Sequence, residues 1–210
     1  MSDEEQVEKL QEWWKENGRA VIAGVIIAVA AVLGWQQWQA YHERQAEAAS
    51  MAYLQLLDAR ERGADVETVA RRGEQVMEDF GGSPYAAMAG LQLADYHANR
   101  GDLAAAEGPL RWVMDNAGDD SYSDLARLRL AQVLQGEERL EEALEVLGAA
   151  GDGPFESRYN ELRGDILADL GRTDEAVAAY DAALEADDLS SVRRHTIQLK
   201  RTDVAGGAQA

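Results

Sequence analysis

The 210-residue chain has no cysteine, which excludes disulfides, thiolate nucleophiles and thiolate metal ligands. Such a chain suits an oxidising compartment, though the absence does not by itself place it in one. Proline is confined to Pro84, Pro109 and Pro154, and no segment sustains the Val/Ile/Thr alternation of a half-buried strand. A β-rich fold is therefore not expected. Positive charge is also scarce, with 20 Lys and Arg against 39 Asp and Glu, a formal net charge of −19. A field of that sign repels phosphate backbones and anionic headgroups, which argues against nucleic-acid partners and against a peripheral lipid contact. The acidity serves solubility, or it recruits basic partners. Phosphate loops, nucleophile elbows and dinucleotide fingerprints are missing, and His42, His97 and His195 are too scattered for metal-ligand spacing. No catalytic, cofactor or metal site is expected, and the chain reads as a non-enzyme.

One further absence decides where the protein works. No side chain carries a formal charge between Arg19 and His42. Ala20 to Gly34 is unbroken by any polar residue and Trp35 to Trp38 extends it to about 19 residues, which at about 1.5 Å per residue nearly spans a hydrocarbon core about 30 Å thick. Trp13 and Trp14 precede the run, and Trp35 and Trp38 end it, where amphipathic rings favour the two membrane interfaces. A cleaved signal peptide is the alternative, but six carboxylates stand against Lys9, Lys15 and Arg19 ahead of the run, where a signal needs a basic region. The run is read as an uncleaved anchor. Lys15 and Arg19 flank its N-terminal side and only Arg44 lies close on the other, so the N-terminus is expected in the cytoplasm and the bulk outside it. The expected organisation is a cytoplasmic tail (1–19), a transmembrane anchor (20–38), an exported repeat domain (39–200) and a disordered C-terminal tail (201–210).

After the anchor, Ala, Leu, Glu and Arg recur at helical spacing, and self-comparison exposes a repeat. Ala94, Ala131 and Gly164 mark one small-residue position. Ala106, Ala143 and Ala176 lie twelve residues later in each case, followed by Leu110, Leu147 and Tyr180, then by Val113, Ala150 and Ala183. Small residues where two helices cross let the backbones approach, and the larger residue one turn on fills the space between them. Gly101 and Gly171 sit in the inter-helix turns, while the middle unit has Glu138 where a turn glycine is usual. Asp102 and Thr173 are the expected N-caps. The units recur at about 33 to 37 residues, close to the roughly 34 of tetratricopeptide repeats. Residues 48–62 and 66–80 read as a degenerate opening hairpin, and 191–200 as a closing helix. The expected fold is all-α: one N-terminal transmembrane helix followed by a tetratricopeptide-like helical-hairpin solenoid.

Two features suggest contacts. By repeat register the inner face of the array includes Met88, Leu91, Asp95, Leu125, Leu128, Gln132, Arg158, Glu161 and Asp165. Its apolar members either contact extended partner segments or pack against a neighbouring helix. On the anchor, Ala20, Gly24 and Ala28 form a small-residue stripe that would let another membrane helix approach, unless it is simply an alanine-rich face toward lipid. Arg100-Gly101-Asp102 occupies an inter-helix turn, which explains it without a recognition role. Asp115, Asp119 and Asp120 lack the glycine and terminal glutamate of a calcium loop and read as a solvated turn.

Glu16-Asn17-Gly18-Arg19-Ala20 entering the anchor and Gly34-Trp35 with Trp38 leaving it resemble landmarks of the YfgM family, the ancillary subunits of the bacterial SecYEG translocon. Leu128-Arg129-Leu130-Ala131 and Leu162-Arg163-Gly164-Asp165 with Gly171 extend the resemblance, which runs from about Val7 to Lys200. It implies an inner-membrane, single-pass protein with a periplasmic repeat domain, associated with the SecYEG translocon, a PpiD-type periplasmic chaperone and exported client proteins. It also implies passage of emerging proteins to chaperones and restraint of a stress-response regulator by the cytoplasmic tail. It carries over no catalytic residue and no cofactor. The expected function is an anchored scaffold that works by protein–protein binding. The alternative is a membrane-anchored assembly factor for an envelope complex, without client binding.

Overall fold

The computed structural model describes residues 3–148, 153–186 and 189–207, the side chains of 3–12, 20 and 207 excepted. Among the described residues there are nine α-helices and no strand: α1 (Asp3–Glu61), α2 (Val66–Asp79), α3 (Pro84–Ala98), α4 (Leu103–Asn116), α5 (Asp120–Gly136), α6 (Leu140–Leu147), α7 (Glu156–Asp169), α8 (Thr173–Leu184) and α9 (Ser191–Gly207). The chain divides into two compact units, Met1–Ala48 and Ala49–Ala210.

The first unit is helical throughout its described length and has the length and apolarity to cross a membrane. Every described side chain from Ile22 to Gln39 is exposed, Ile26 by 62% and Ile27 by 69%. An apolar surface exposed all round has no polar face to turn to water, so lipid is the medium that would cover it. Trp14 and Trp35 are 21 positions apart, about 32 Å of helix, which matches a bilayer core. The Trp14 ring lies across Gly18, where a Cβ would come within 3.2 Å of it. Trp38 lies between Trp35 (centroids 5.1 Å apart, rings tilted) and His42 (4.3 Å, edge-on) at the other end. Of the small-residue stripe, Gly24 and Ala28 are exposed, while the side chain of Ala20 lies outside the described residues.

The second unit is built from helical hairpins, each started and stopped by local chemistry. Side-chain oxygens of Asp65, Ser83, Asp102 and Asp119 accept from backbone N–H groups in the first turns of α2, α3, α4 and α5, and Pro84 opens α3. Asp102 is the expected cap, and the Arg100-Gly101-Asp102 tripeptide is accounted for by that turn. Thr173 is not a cap. Arg172 holds the cap position of α8 without a side-chain cap bond, and its guanidinium instead pairs with Glu175 in the first turn. Acidic residues there suit the positive end of the helix dipole, so a hydroxyl cap is dispensable.

The turns share one backbone conformation. Gly63, Gly101 and Gly171 take φ of 68°, 80° and 73°, and Glu138 takes 61° at the matching place in the middle hairpin. The left-handed turn is thus imposed by the packing of the two helices even where the side chain disfavours it. Glu138→Gly is expected to stabilise the array by about 0.5 to 1 kcal/mol, the left-handed strain relieved less the extra freedom gained by the unfolded chain. Urea melts of the two proteins measure it.

The repeat register predicted from small residues is the register of the core. Ala94, Ala131, Ala106, Ala143 and Ala176 are buried, with Leu110, Leu147, Tyr180, Val113 and Ala183 filling the space beside them. Ala150 lies outside the described residues. Gly164 shows why size matters: a Cβ there would stand 2.6 to 2.9 Å from the Tyr180 ring, which is buried and anchored by its hydroxyl donating to Asp165 Oδ1 at 2.8 Å. Gly108, in α4, would place its Cβ in open space. The same substitution should therefore differ in cost at the two sites. Gly164→Ala is expected to cost about 1 to 3 kcal/mol by overpacking, and Gly108→Ala less, since at Gly108 only the ring of the following Pro109 opposes the helix propensity gained. Equal shifts in urea midpoint would mean that the crossing at Gly164 is looser than described.

The core runs the length of the array in three connected stretches, from Tyr53, Leu56, Val69 and Leu93, through Leu110, Leu130, Leu134 and Ile166, to Tyr180 and Ile197. Polar bonds reach across one repeat period: Arg60 to Asp95, Tyr159 to the Asp124 carbonyl, Gln135 to Asp169 and Arg111 to Glu142. Arg139 pairs with Glu107 and Glu142. Helix α3 touches α5, α5 touches α7 and α7 touches α9, while α4, α6 and α8 make no comparable backbone approach to one another among the described residues. The odd-numbered helices accordingly form the inner layer. The C-terminus departs from expectation. Helix α9 continues to Gly207 instead of giving way to a disordered tail at 201, because Arg201 and Val204 extend the 3–4 spacing begun by buried Ile197. Arg201 pairs with Asp181 on α8, and Val204 packs on the last stretch of core. Residues 208–210 of that expected tail lie outside the described residues.

Candidate binding groove

The inner layer carries two adjoining depressions. One, of about 310 Å³, is lined by Leu125, Leu128, Arg129 and Gln132 of α5, by Arg158, Glu161, Leu162 and Asp165 of α7, and by Arg193 and Lys200 of α9. The other, of about 280 Å³, is lined by Ala94, Asp95 and Ala98 of α3, Leu103 and Leu110 of α4, and Arg129, Gln132 and Val133 of α5. Arg129 and Gln132 line both, so the surface is continuous. These side chains converge because α5 and α7 repeat the same three-to-four spacing, Leu125/Leu128/Gln132 and Arg158/Glu161/Asp165, one period apart.

Of the nine positions read from the repeat register, Leu125, Leu128, Gln132, Arg158, Glu161 and Asp165 meet in the first depression and Asp95 lines the second. Met88 and Leu91 line neither. Leu91 is 6% exposed and Leu128 4%, and both belong to the core between α3, α5 and α7. Met88 packs beside the first stretch of core and Leu125 beside the second. Of the two readings of the apolar members, packing against a neighbouring helix is the one found for Leu91 and Leu128, and the surface is a polar groove over an apolar floor. An inner-face position is covered whenever the next odd-numbered helix packs closely, as at Leu91, whereas Leu125 and Leu128 still reach the groove. Arg129, Arg193 and Lys200 were missed by register reasoning. Arg129 follows Leu128 on the same face, and Arg193 and Lys200 are seven apart on α9, a spacing that puts them on one side of the helix.

The groove's charges are organised around α7. Lys200 Nζ donates to Glu161 at 2.9 Å and to Asp165 at 2.7 Å, and Arg193 donates to Glu161 at 2.5 Å. Burial disfavours the Lys200 ammonium, but its bonds to Asp165 and Glu161 outweigh that and hold its pKa above the ordinary range. Burial raises the Tyr180 hydroxyl, and its bond to Asp165 adds to the effect. Tyr159 is pushed up to about 12, chiefly by burial. All three hold fixed protonation states at neutral pH. The arrangement offers binding surface and hydrogen-bonding groups. Elsewhere, Asp119 caps α5, and no group of three His, Asp or Glu side chains among the described residues is placed to hold a metal ion.

Comparison with known proteins agrees with this geometry. The family model for the tetratricopeptide repeat-like domain matches residues 11–206. Two similar proteins, each named ancillary SecYEG translocon subunit, come from Haemophilus influenzae (34% identical over 59 residues, 28% of this chain and 29% of that one) and Escherichia coli (36% over 58 residues, 28% of each). A third with the same name, from Aggregatibacter actinomycetemcomitans, is 32% identical over 57 residues. The aligned stretch thus spans less than a third of the length of these relatives. With hairpins of repeat length, a shared turn conformation and a family match over nearly all of its residues, the chain belongs to the tetratricopeptide repeat-like domain family.

Proposed function

We propose that this protein is a single-pass inner-membrane scaffold that binds proteins at the SecYEG translocon. The observation that carries the reading is the union in one chain of a helix exposed and apolar all round with a repeat array that presents a charged groove. The names of the similar proteins support the translocon as its place. An anchor raises the effective concentration of the array near the channel, so modest affinity suffices for repeated capture. In the finer reading, the N-terminus is cytoplasmic and the array periplasmic, and exported clients pass from the channel to a PpiD-type chaperone. Lys15 and Arg19, nearest the membrane, support that orientation. Gly24 and Ala28 support close approach of a translocon helix to the anchor, since a Cβ at Gly24 meets open space. Restraint of a stress-response regulator by the tail rests on the family resemblance alone.

Two measurements test the proposal. Full-length protein isolated in mild detergent should bring the translocon with it, whereas an assembly factor would bring a different envelope complex and no translocon. Protease added to the periplasmic side of intact inner membranes should digest the array and spare residues 1–19. Removal of only the N-terminal tail would reverse the orientation.

A further inference from the structure

We propose that a pocket on the outer layer of the array, between α2 and α4, is a docking site for an arginine side chain on a basic segment of a partner protein. This rests on the protein-binding reading above and adds a contact on the layer away from the groove. The pocket exists because α2 and α4 make no close backbone approach to each other among the described residues. Gly108 and Pro109 then bring too little side chain to fill the gap, and a Cβ at Gly108 would meet open space. What is left is a cavity of about 300 Å³ lined by Glu74, Met77 and Glu78 of α2 and by Gly108, Pro109 and Trp112 of α4.

Among the described residues, no cationic side chain lines this pocket. Glu74 and Glu78 are exposed, stand one turn apart on α2, and have no ion pair or side-chain hydrogen bond among the described residues. Like charges at that spacing repel, a cost that a cation from outside the chain would remove. Carboxylates elsewhere on the outer layer are served from within: Glu107 by Arg111 and Arg139, Glu142 by Arg139, and Glu175 by Arg172. Pro109 adds a further acceptor. It has no N–H, so the Ala105 carbonyl one turn earlier on α4 lacks its usual helical donor.

Trp112 decides which cation fits. Its ring is set against the turn between α2 and α3, where a Cβ at Gly81 would lie 3.5 Å from Trp112 Cζ2, and it packs beside both adjoining stretches of core. Buried Met77 completes an apolar wall. An indole attracts a cation electrostatically, and a planar guanidinium both stacks on such a ring and forks two bonds to a carboxylate. A hydrated metal ion gains nothing from Trp112 or Met77, whereas the apolar stem of an arginine does. The net charge of −19 draws a basic segment toward the chain, and the pocket gives that attraction a specific end point.

The test uses full-length protein in an uncharged mild detergent and a short fluorescent peptide of alternating Arg and Ser, acetylated and amidated at its ends. A counterpart carries citrulline, which keeps the shape of arginine without its charge. Anisotropy should show the Arg peptide binding, with affinity falling as salt rises, and the citrulline peptide weaker by about tenfold or more. Glu74→Gln with Glu78→Gln should weaken the Arg peptide by about tenfold and leave the melting temperature unchanged, because both side chains are exposed. Glu145→Gln with Asp174→Asn removes the same charge from exposed positions on α6 and α8, and should change affinity by less than about twofold. Trp112→Leu, read where circular dichroism shows native helix content, should weaken binding by about threefold through loss of the cation–ring attraction. Equal binding of the Arg and citrulline peptides, no binding of the Arg peptide, native affinity in the Glu74/Glu78 or Trp112 variant, or an equal loss in the Glu145/Asp174 variant overturns the proposal. So does self-association that the Arg peptide cannot reverse, which assigns the pocket to a second copy. Translocon co-isolation is scored separately, so failure here with translocon still bound removes the pocket assignment and not the proposed function.

Discussion

Leu128→Ser is expected to destabilise the repeat array by about 3 to 5 kcal/mol, the combined cost of a core cavity and of a buried hydroxyl. The side chain is 4% exposed and packed within the central stretch of core, although its tip reaches the groove floor. Leu91→Ser, at 6% exposure, should behave alike. Leu125→Ser, half-buried beside the same core, should cost only about 1 to 2 kcal/mol, because less apolar area returns to water. Urea melts of the full-length chain in mild detergent, followed by circular dichroism, rank the three. Unchanged melting of Leu128→Ser would return that residue to an exposed binding strip and contradict the packing of α5 between α3 and α7.

The second large effect concerns the anchor. Ile27→Asp places a carboxylate at the middle of residues 20–38, where insertion is disfavoured by about 2.5 to 3.5 kcal/mol. The native helix has only eight strongly apolar residues there, each worth about 0.3 to 0.6 kcal/mol, so the substitution offsets most of its insertion energy. Ile27 is 69% exposed, so loss of protein packing cannot account for the outcome. Membrane fractionation should find much of the variant displaced from the inner membrane. Full retention would mean that the segment is not held by lipid, and the anchor reading would fall.

How far residues alone led differs from element to element, for physical reasons. The anchor was legible because charge in hydrocarbon is costly at any position, so a charge-free run is informative without knowledge of packing. The hairpins were legible because a close crossing tolerates only Gly or Ala, and Gly164, Ala131 and Ala176 recur on the period. Glu138 shows the limit of that logic: its side chain argues against the left-handed turn, yet the helices on either side enforce it. Membership of the inner face was also legible, since three-to-four spacing fixes which side chains share a side. Burial on that face was not. Leu91 and Leu128 disappear because α3, α5 and α7 pack closely, and that distance is set by residues one repeat away. The same non-local cause hid Arg193 and Lys200, whose place in the groove depends on α9 lying against α7. The length of α9 was hidden too, because Arg201 looks like tail composition until Asp181 of α8 is found beside it.

The central claim, a membrane-held repeat array that binds proteins beside the translocon, is tested most directly by photocrosslinking in exporting cells. One crosslinker replaces Gln132 in the groove and another Glu175, which is exposed on α8 outside it. The account predicts that the Gln132 position yields adducts with exported chains or with translocon-associated proteins, and that the Glu175 position yields few. Equal adducts from both positions, or none from Gln132 while the protein remains in the membrane, would contradict it.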